Sequence, residues 1–225
     1  MRPVYLLLMI LFSAISCAGL PGPVPIERPL SLDVDDNRCK IPFPDRAGQF
    51  VHSIRAAMPG GHEAVMIGVT ALSPETGTIE CVMMTIEGLV LFDARYDGRM
   101  TIHRAMPPFD AMDFARGLIE DIQLIFFPPD GPLIASGIAD DGAFVCRYRT
   151  DRDRTIDIVL HEDHLWEIRQ YDSDSRLIRS LKTDPGRRGP AERQDLIPAR
   201  LKLTAFGPSE YALTLDLIEV RELGE

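Results

Sequence analysis

The sequence predicts an α+β domain that is mainly antiparallel β: a curved half-barrel of about 11 strands, with one long and one short helix plugging its concave face after strand five. Three observations lead there. Short runs rich in β-branched and aromatic residues are separated by Gly, Pro and Asp turn signals. Apolar and polar residues alternate with period two in the last third of the chain. A single stretch of helical periodicity interrupts the extended runs.

Five strands come before the helix. Phe50 to Ala57 and Glu63 to Leu72 flank "MPGG", Thr78 to Ile86 and Leu89 to Tyr96 flank "EG", and Met100 to Ala105 follows "DG". A three-residue loop in "YDGRM" pairs Ala94 with Ile102. The helix lies in "PPFDAMDFARGLIEDIQLIFFPP". There Asp110 is placed to N-cap and Asp113 suits the first turn. Ala111, Phe114, Ala115, Leu118, Ile122 and Ile125 recur at helical spacing, widened by Ile119 and Phe126, and Pro128 and Pro129 end it. A short turn of helix is expected near Leu133.

Six extended runs follow: Ala143 to Arg149, Arg154 to His161, His164 to Tyr171, Arg176 to Thr183, Leu196 to Phe206 and Glu210 to Val220. Leu201 and Leu203 alternate with Lys202 and Thr204, and Leu213, Leu215 and Leu217 with Thr214 and Asp216, so one face is apolar and the other wet. Register follows for one hairpin. Opposing Ile158 to Ile168 and Leu160 to Trp166 puts the apolar residues on one face with a three-residue loop centred on Asp163. "PGRRGPAERQDLIP" is polar and broken by Gly and Pro, as a loop between the last two hairpins would be.

The 225 residues suffice for one substantial domain and an export segment. Residues 1–16 carry one charge, Arg2, then the apolar run Val4 to Phe12 and small residues. That run is shorter than the roughly 20 residues that span a bilayer and reads as the core of a signal peptide. The expected division is 1–16 signal peptide, 17–48 a proline-rich tether starting at Cys17, and 49–225 the half-barrel. A net charge of −10 repels phosphates and anionic head groups, which argues against nucleic acid and against polybasic membrane docking.

Ala14-Ile15-Ser16-Cys17 resembles a bacterial lipobox, in which small residues precede a cysteine that is acylated. Two outcomes are open at this junction. Acylation at Cys17 gives a lipoprotein held on the periplasmic face of the outer membrane, an address that Ala18, rather than aspartate, after the cysteine resembles. Ordinary cleavage after Ser16 or Ala18 gives a secreted or periplasmic soluble protein. The proline-rich stretch after Cys17 suits a spacer of up to about 3 Å per residue. At about 0.8 kcal/mol per buried methylene, a three-chain anchor holds without other contacts. Cys39, Cys81 and Cys146 allow at most one internal disulfide, with the pairing open.

No cluster carries a recognisable chemistry. "HEDH" spaces His161 and His164 three apart at a hairpin tip, unlike a metalloprotease helix, and "DVDD" lacks the glycine and glutamate of a calcium loop. GxSxG, SxxK and P-loop patterns do not occur. His52, His62 and His103 are scattered. No metal, cofactor or enzymatic activity is expected; reviving a hydrolase would require His161 or His164 to meet a serine in a cleft.

The order of elements, and the stretches "FARGLIEDIQLIFFPPDGPL", "LWEIRQYD" and "LIPARLKLTAFGPSEYALTLDLIEV", resemble the LolA/LolB family of bacterial lipoprotein-localisation proteins, and within it a LolB-like group. The resemblance runs from about Phe50 to Val220. It implies a half-barrel whose helices close over acyl chains, and a periplasmic carrier protein as partner. One departure concerns the protruding loop with an exposed apolar residue that LolB puts into the membrane: "LSPETGTI" here is polar apart from its ends. The expected function is binding of acyl chains or another apolar lipid between sheet and helix. Phe92, Phe114, Leu118, Ile122, Ile158, Leu160, Trp166 and Ile168 are the expected lining. The alternative is a non-catalytic scaffold lipoprotein with a filled core that binds a protein partner.

Overall fold

The computed structural model describes residues 20–30, 36–162, 165–184, 198–207 and 210–224. Cys17, the signal segment, His164 and most of the loop after Thr183 lie outside the described residues. In chain order the elements are β1 (Arg28–Pro29), α1 (Asp36–Cys39), β2 (Gly48–Met58), β3 (His62–Ser73), β4 (Thr78–Met84), β5 (Val90–Tyr96), β6 (Met100–Ala105), α2 (Met112–Phe126), β7 (Leu133–Ile138), β8 (Phe144–Arg149), β9 (Thr155–Leu160), β10 (Trp166–Tyr171), β11 (Leu177–Thr183), β12 (Arg200–Ala205) and β13 (Tyr211–Glu222).

Among the described residues all strands belong to one antiparallel, open sheet of 13 strands, in the order β1-β7-β8-β9-β10-β11-β12-β13-β2-β3-β4-β5-β6. The first five strands and the six after Ala143 lie where the turn signals placed them. Both expected hairpin registers are found: Ile158 faces Ile168 and Leu160 faces Trp166, and Ala94 faces Ile102 across a three-residue loop.

The count differs from the expected 11 strands by two. Leu133–Ile138 forms β7 rather than a turn of helix, because "LIASGI" is too short to declare its period and pairs instead with β8. The other addition is β1, inside the proline-rich stretch expected as a tether. Arg28 and Pro29 pair with Ile138 and Gly137, and the chain also donates Glu27 and Leu30 N–H groups to β7 carbonyls. A proline is tolerated there because β1 is an edge strand.

The N-terminal segment wraps the β1 end of the sheet on both faces. On the outer face Val24 and Ile26 pack on Ala139, Ala143, Val145 and Val159. Asp157, fully buried, accepts from the Val24 N–H at 2.9 Å and from Arg147 at 2.7 and 2.8 Å. On the inner face Cys39 is disulfide-bonded to Cys146, and Phe43 joins the main core. Cys81 is free and buried, and burial pushes its thiol up to about 12, which makes it unreactive.

Helix α2 covers the inner face. It begins at Met112 after Ala111, which makes no side-chain cap, so Asp110 does not cap it; Asp113 pairs with Arg116 in the first turn. Its C-terminal half is buried nearly all round, through Ile119, Ile122, Leu124, Ile125 and Phe126. Curvature follows from what meets beneath it. Tyr96 of β5 and Ile156 of β9, eight places apart in the strand order, line one cavity. In a flat sheet at about 4.8 Å per strand they would stand roughly 38 Å apart.

Candidate functional site

The space between α2 and the sheet is the candidate site. The eight residues expected to line it meet in one core. Phe92, Ile122, Ile158, Trp166 and Ile168 are buried members, and Phe114, Leu118 and Leu160 pack against them half-buried. Phe92 and Phe114 stack edge to face at 6.1 Å. Most of this face is filled by protein. A cavity of about 40 Å³ touches Leu118 and Ile122 above Gly68, Cys81 and Leu215. A larger one of about 260 Å³ touches only Ile168 of the eight.

The larger cavity opens beside the C-terminal end of α2. Leu124, Phe127, Ile156 and Ile168 give it an apolar floor, and Glu120, Gln123, Gln170, Arg152 and Arg154 a polar side. The polar side belongs to an ion-pair network absent from the sequence-based expectation. Arg179 donates to Asp121 at 2.8 Å, to Glu120 at 3.3 Å and to Gln170 at 3.2 Å. Tyr211 donates its hydroxyl to the other Asp121 oxygen at 2.5 Å. Arg154 donates to Glu120 at 3.2 Å, and Arg152 pairs with the same carboxylate.

Burial alone would raise the Glu120 carboxyl, but Arg154, Arg179 and Arg152 outweigh it and hold the group below its usual range. Asp121 goes the other way: its deeper burial raises it despite Arg179 and Tyr211. On the other side of the helix floor His52 is 3% exposed, with its ring 6.1 Å from Phe126. Burial pulls it down to about 4, against a small opposing pull from Asp216, so it is neutral at pH 7.

A signal for the network does exist in the sequence. Asp121 stands three residues after Leu118 and four before Ile125, on the apolar stripe itself, and Arg179 shares strand parity with Leu181. An acid and a base, each at an inward position, are candidates to pair. Among the described residues no group of three or more His, Cys, Asp or Glu is placed to hold a metal. His62 is exposed, His103 lies 3.3 Å from Asp93 on the surface, and His161 is half-buried. No helix among the described residues is long and apolar enough to cross a membrane.

One open antiparallel sheet curled around a single long helix defines the class. The particular fold is LolA/LolB-like. The structure matches a LolA superfamily protein from Nitrosomonas europaea with a TM-score of 0.57 at 12% identity, over 83% of this chain and 90% of that one. Two further matches are a DUF1329 family protein from Desulfovibrio piger (TM-score 0.49, 14% identity, 83% and 89% of the two chains) and a domain described as outer membrane lipoprotein-sorting from Vibrio parahaemolyticus (0.45, 9%, 85% and 92%). At these identities the likeness is one of fold. No family model and no curated protein matches the sequence.

Proposed function

We propose that this is a lipoprotein, anchored through Cys17 to the periplasmic face of the outer membrane, that binds an acyl chain or another apolar lipid between α2 and the sheet. It acts by binding alone. The observation that carries the reading is the hollow of about 260 Å³ beside the end of α2, whose floor is apolar. Each 100 Å² of hydrocarbon kept from water there contributes about 2.5 kcal/mol toward extracting a chain from a bilayer. The LolA-like fold of the Nitrosomonas europaea protein supports the reading by analogy of architecture. An apolar tip for membrane contact exists one hairpin beyond the polar "LSPETGTI" turn: Ile86 and Leu89, between β4 and β5, are 68% and 47% exposed.

The test is native mass spectrometry of protein lacking its anchor, with titration of a fluorescent fatty acid. A co-purified lipid and saturable uptake are expected; neither appearing sinks the reading. Mass analysis of the mature N-terminus, compared with Cys17→Ser, tests the anchor separately: an unmodified peptide beginning at Ala18 or Gly19 excludes it. The second reading, a scaffold with a filled core, draws on the tight packing of Ile119, Ile122 and Ile125, and no uptake together with capture of a protein partner would favour it.

A further inference from the structure

We infer that the larger cavity takes a single-chain lipid with a zwitterionic head: one acyl tail inside, a phosphate against Arg152 and Arg154, and an ammonium beside Asp130. The inference rests on the lipid-binding reading and narrows it. Volume sets the number of chains. About 260 Å³, at roughly 30 Å³ per water-sized group, holds roughly nine such groups. That is one medium-length tail, and a second or third tail requires α2 to be displaced from its ion pairs.

Exposure sets the direction of entry. Ile168 is fully buried and forms the floor, whereas the Arg152 side chain is 60% exposed and stands at the mouth. A tail therefore enters first and the head stays at the rim. Arg152 and Arg154 each commit one guanidinium nitrogen to Glu120. A guanidinium carries five N–H donors in a fork suited to phosphate, so both retain donors for a second anion. A purely anionic head would leave the rest of the rim mismatched. Asp130 is exposed there, and the C-terminal end of α2, with its partial negative charge, adjoins it at Phe127. An ammonium on the same head answers both, and solvent exposure keeps its desolvation cost low.

Calorimetric titration of the mature protein with decanoyl lysophosphatidylethanolamine, its lysophosphatidylglycerol analogue and didecanoyl phosphatidylethanolamine, each below its micellar concentration, tests this. The monoacyl ethanolamine lipid is expected to bind one to one, tenfold or more tighter than either other lipid. Arg152→Gln, which leaves Glu120 paired with Arg154 and Arg179, is expected to weaken both monoacyl lipids about tenfold. Asp130→Asn is expected to erase the preference for ethanolamine over glycerol. Equal or tighter binding of the diacyl lipid overturns the single-chain inference while leaving the lipid-binding reading intact. Equal binding of the two monoacyl heads, or no effect of Asp130→Asn or Arg152→Gln, overturns the head assignment. Absence of binding by all three, with no fatty-acid uptake, overturns both.

Discussion

Helix α2 rests on two floors of different chemistry. Over β2 to β4 it meets Phe50, His52, Ile54 and Met83, beside a cavity of about 40 Å³. Over β9 to β11 it meets Gln170, Arg179 and the Glu120 network, and the hollow of about 260 Å³ lies alongside. Apolar side chains close-pack and hold a helix by area. Guanidinium groups hold it through a few directional bonds and keep part of their surface wet, so the packing beside them stays open. The larger hollow therefore lies by the charges rather than at the centre of the apolar stripe.

The largest effect expected from breaking this contrast is at Arg179. Its removal leaves Asp121 and Glu120 buried with fewer partners, so Arg179→Ala should cost about 3–5 kcal/mol in urea unfolding at pH 7. Replacing the trio together, Arg179→Met with Asp121→Leu and Tyr211→Phe, should recover most of that, since no unpaired charge remains. A loss under about 1 kcal/mol for the single change would mean that the charged floor does not hold the helix.

The apolar floor has its own titration. His52 is neutral when folded and takes up a proton near 6.5 when unfolded, so its contribution is complete above the unfolded value and fades as pH falls from there toward 4. Between pH 7 and 4.5 it should remove about 2.5 kcal/mol of stability. His52→Leu should flatten that part of the profile; an unchanged slope would assign acid sensitivity to the carboxylates of the other floor.

How far the sequence carried the fold can be judged from the same two floors. Turn signals and β-rich runs located the strands, with period-two alternation in the last third; loop length set the Ala94–Ile102 register, and the apolar face set the Ile158–Ile168 one, because a one-residue slip would reverse every side chain. The apolar floor was legible for that reason. The charged floor carries a weaker signal: Asp121 and Arg179 each stand at an inward position among apolar residues, and only their pairing across 58 residues makes them one feature. The N-terminal strap was hidden by its prolines, although Val24 and Ile26 alternate as an edge strand would. The Cys39–Cys146 bond lay beyond spacing arguments, since three cysteines permit three pairings.

That strap gives a smaller, local test on the outer face of the charged half. A Cβ at Gly137 would stand 2.3 Å from the Arg28 carbonyl oxygen and 2.5 Å from Ile26 Cγ2, so Gly137→Ala must push β1 off its edge. The expected cost is about 1–3 kcal/mol. Amide exchange should speed up at Glu27 and Leu30, whose N–H groups bond Ile138 and Ser136, while the disulfide keeps Cys39 in place. Unchanged exchange there would mean that the pairing of β1 does not hold the segment down.

The smallest effect belongs to Gly68 on the apolar floor, and it separates a soft clash from a hard one. A Cβ there meets Ile54 Cδ1 at 2.6 Å, closer than contact allows, but the obstacle is the end of a flexible side chain bordering an empty space of about 40 Å³. Ile54 can turn into that space, and an alanine removes the roughly 0.5–1 kcal/mol penalty of glycine inside a strand. Gly68→Ala should therefore change stability by less than about 1 kcal/mol in either direction. A loss comparable to that at Gly137, measured by the same urea titration, would mean that the apolar floor has no slack, and that the fill of this half is as rigid as backbone.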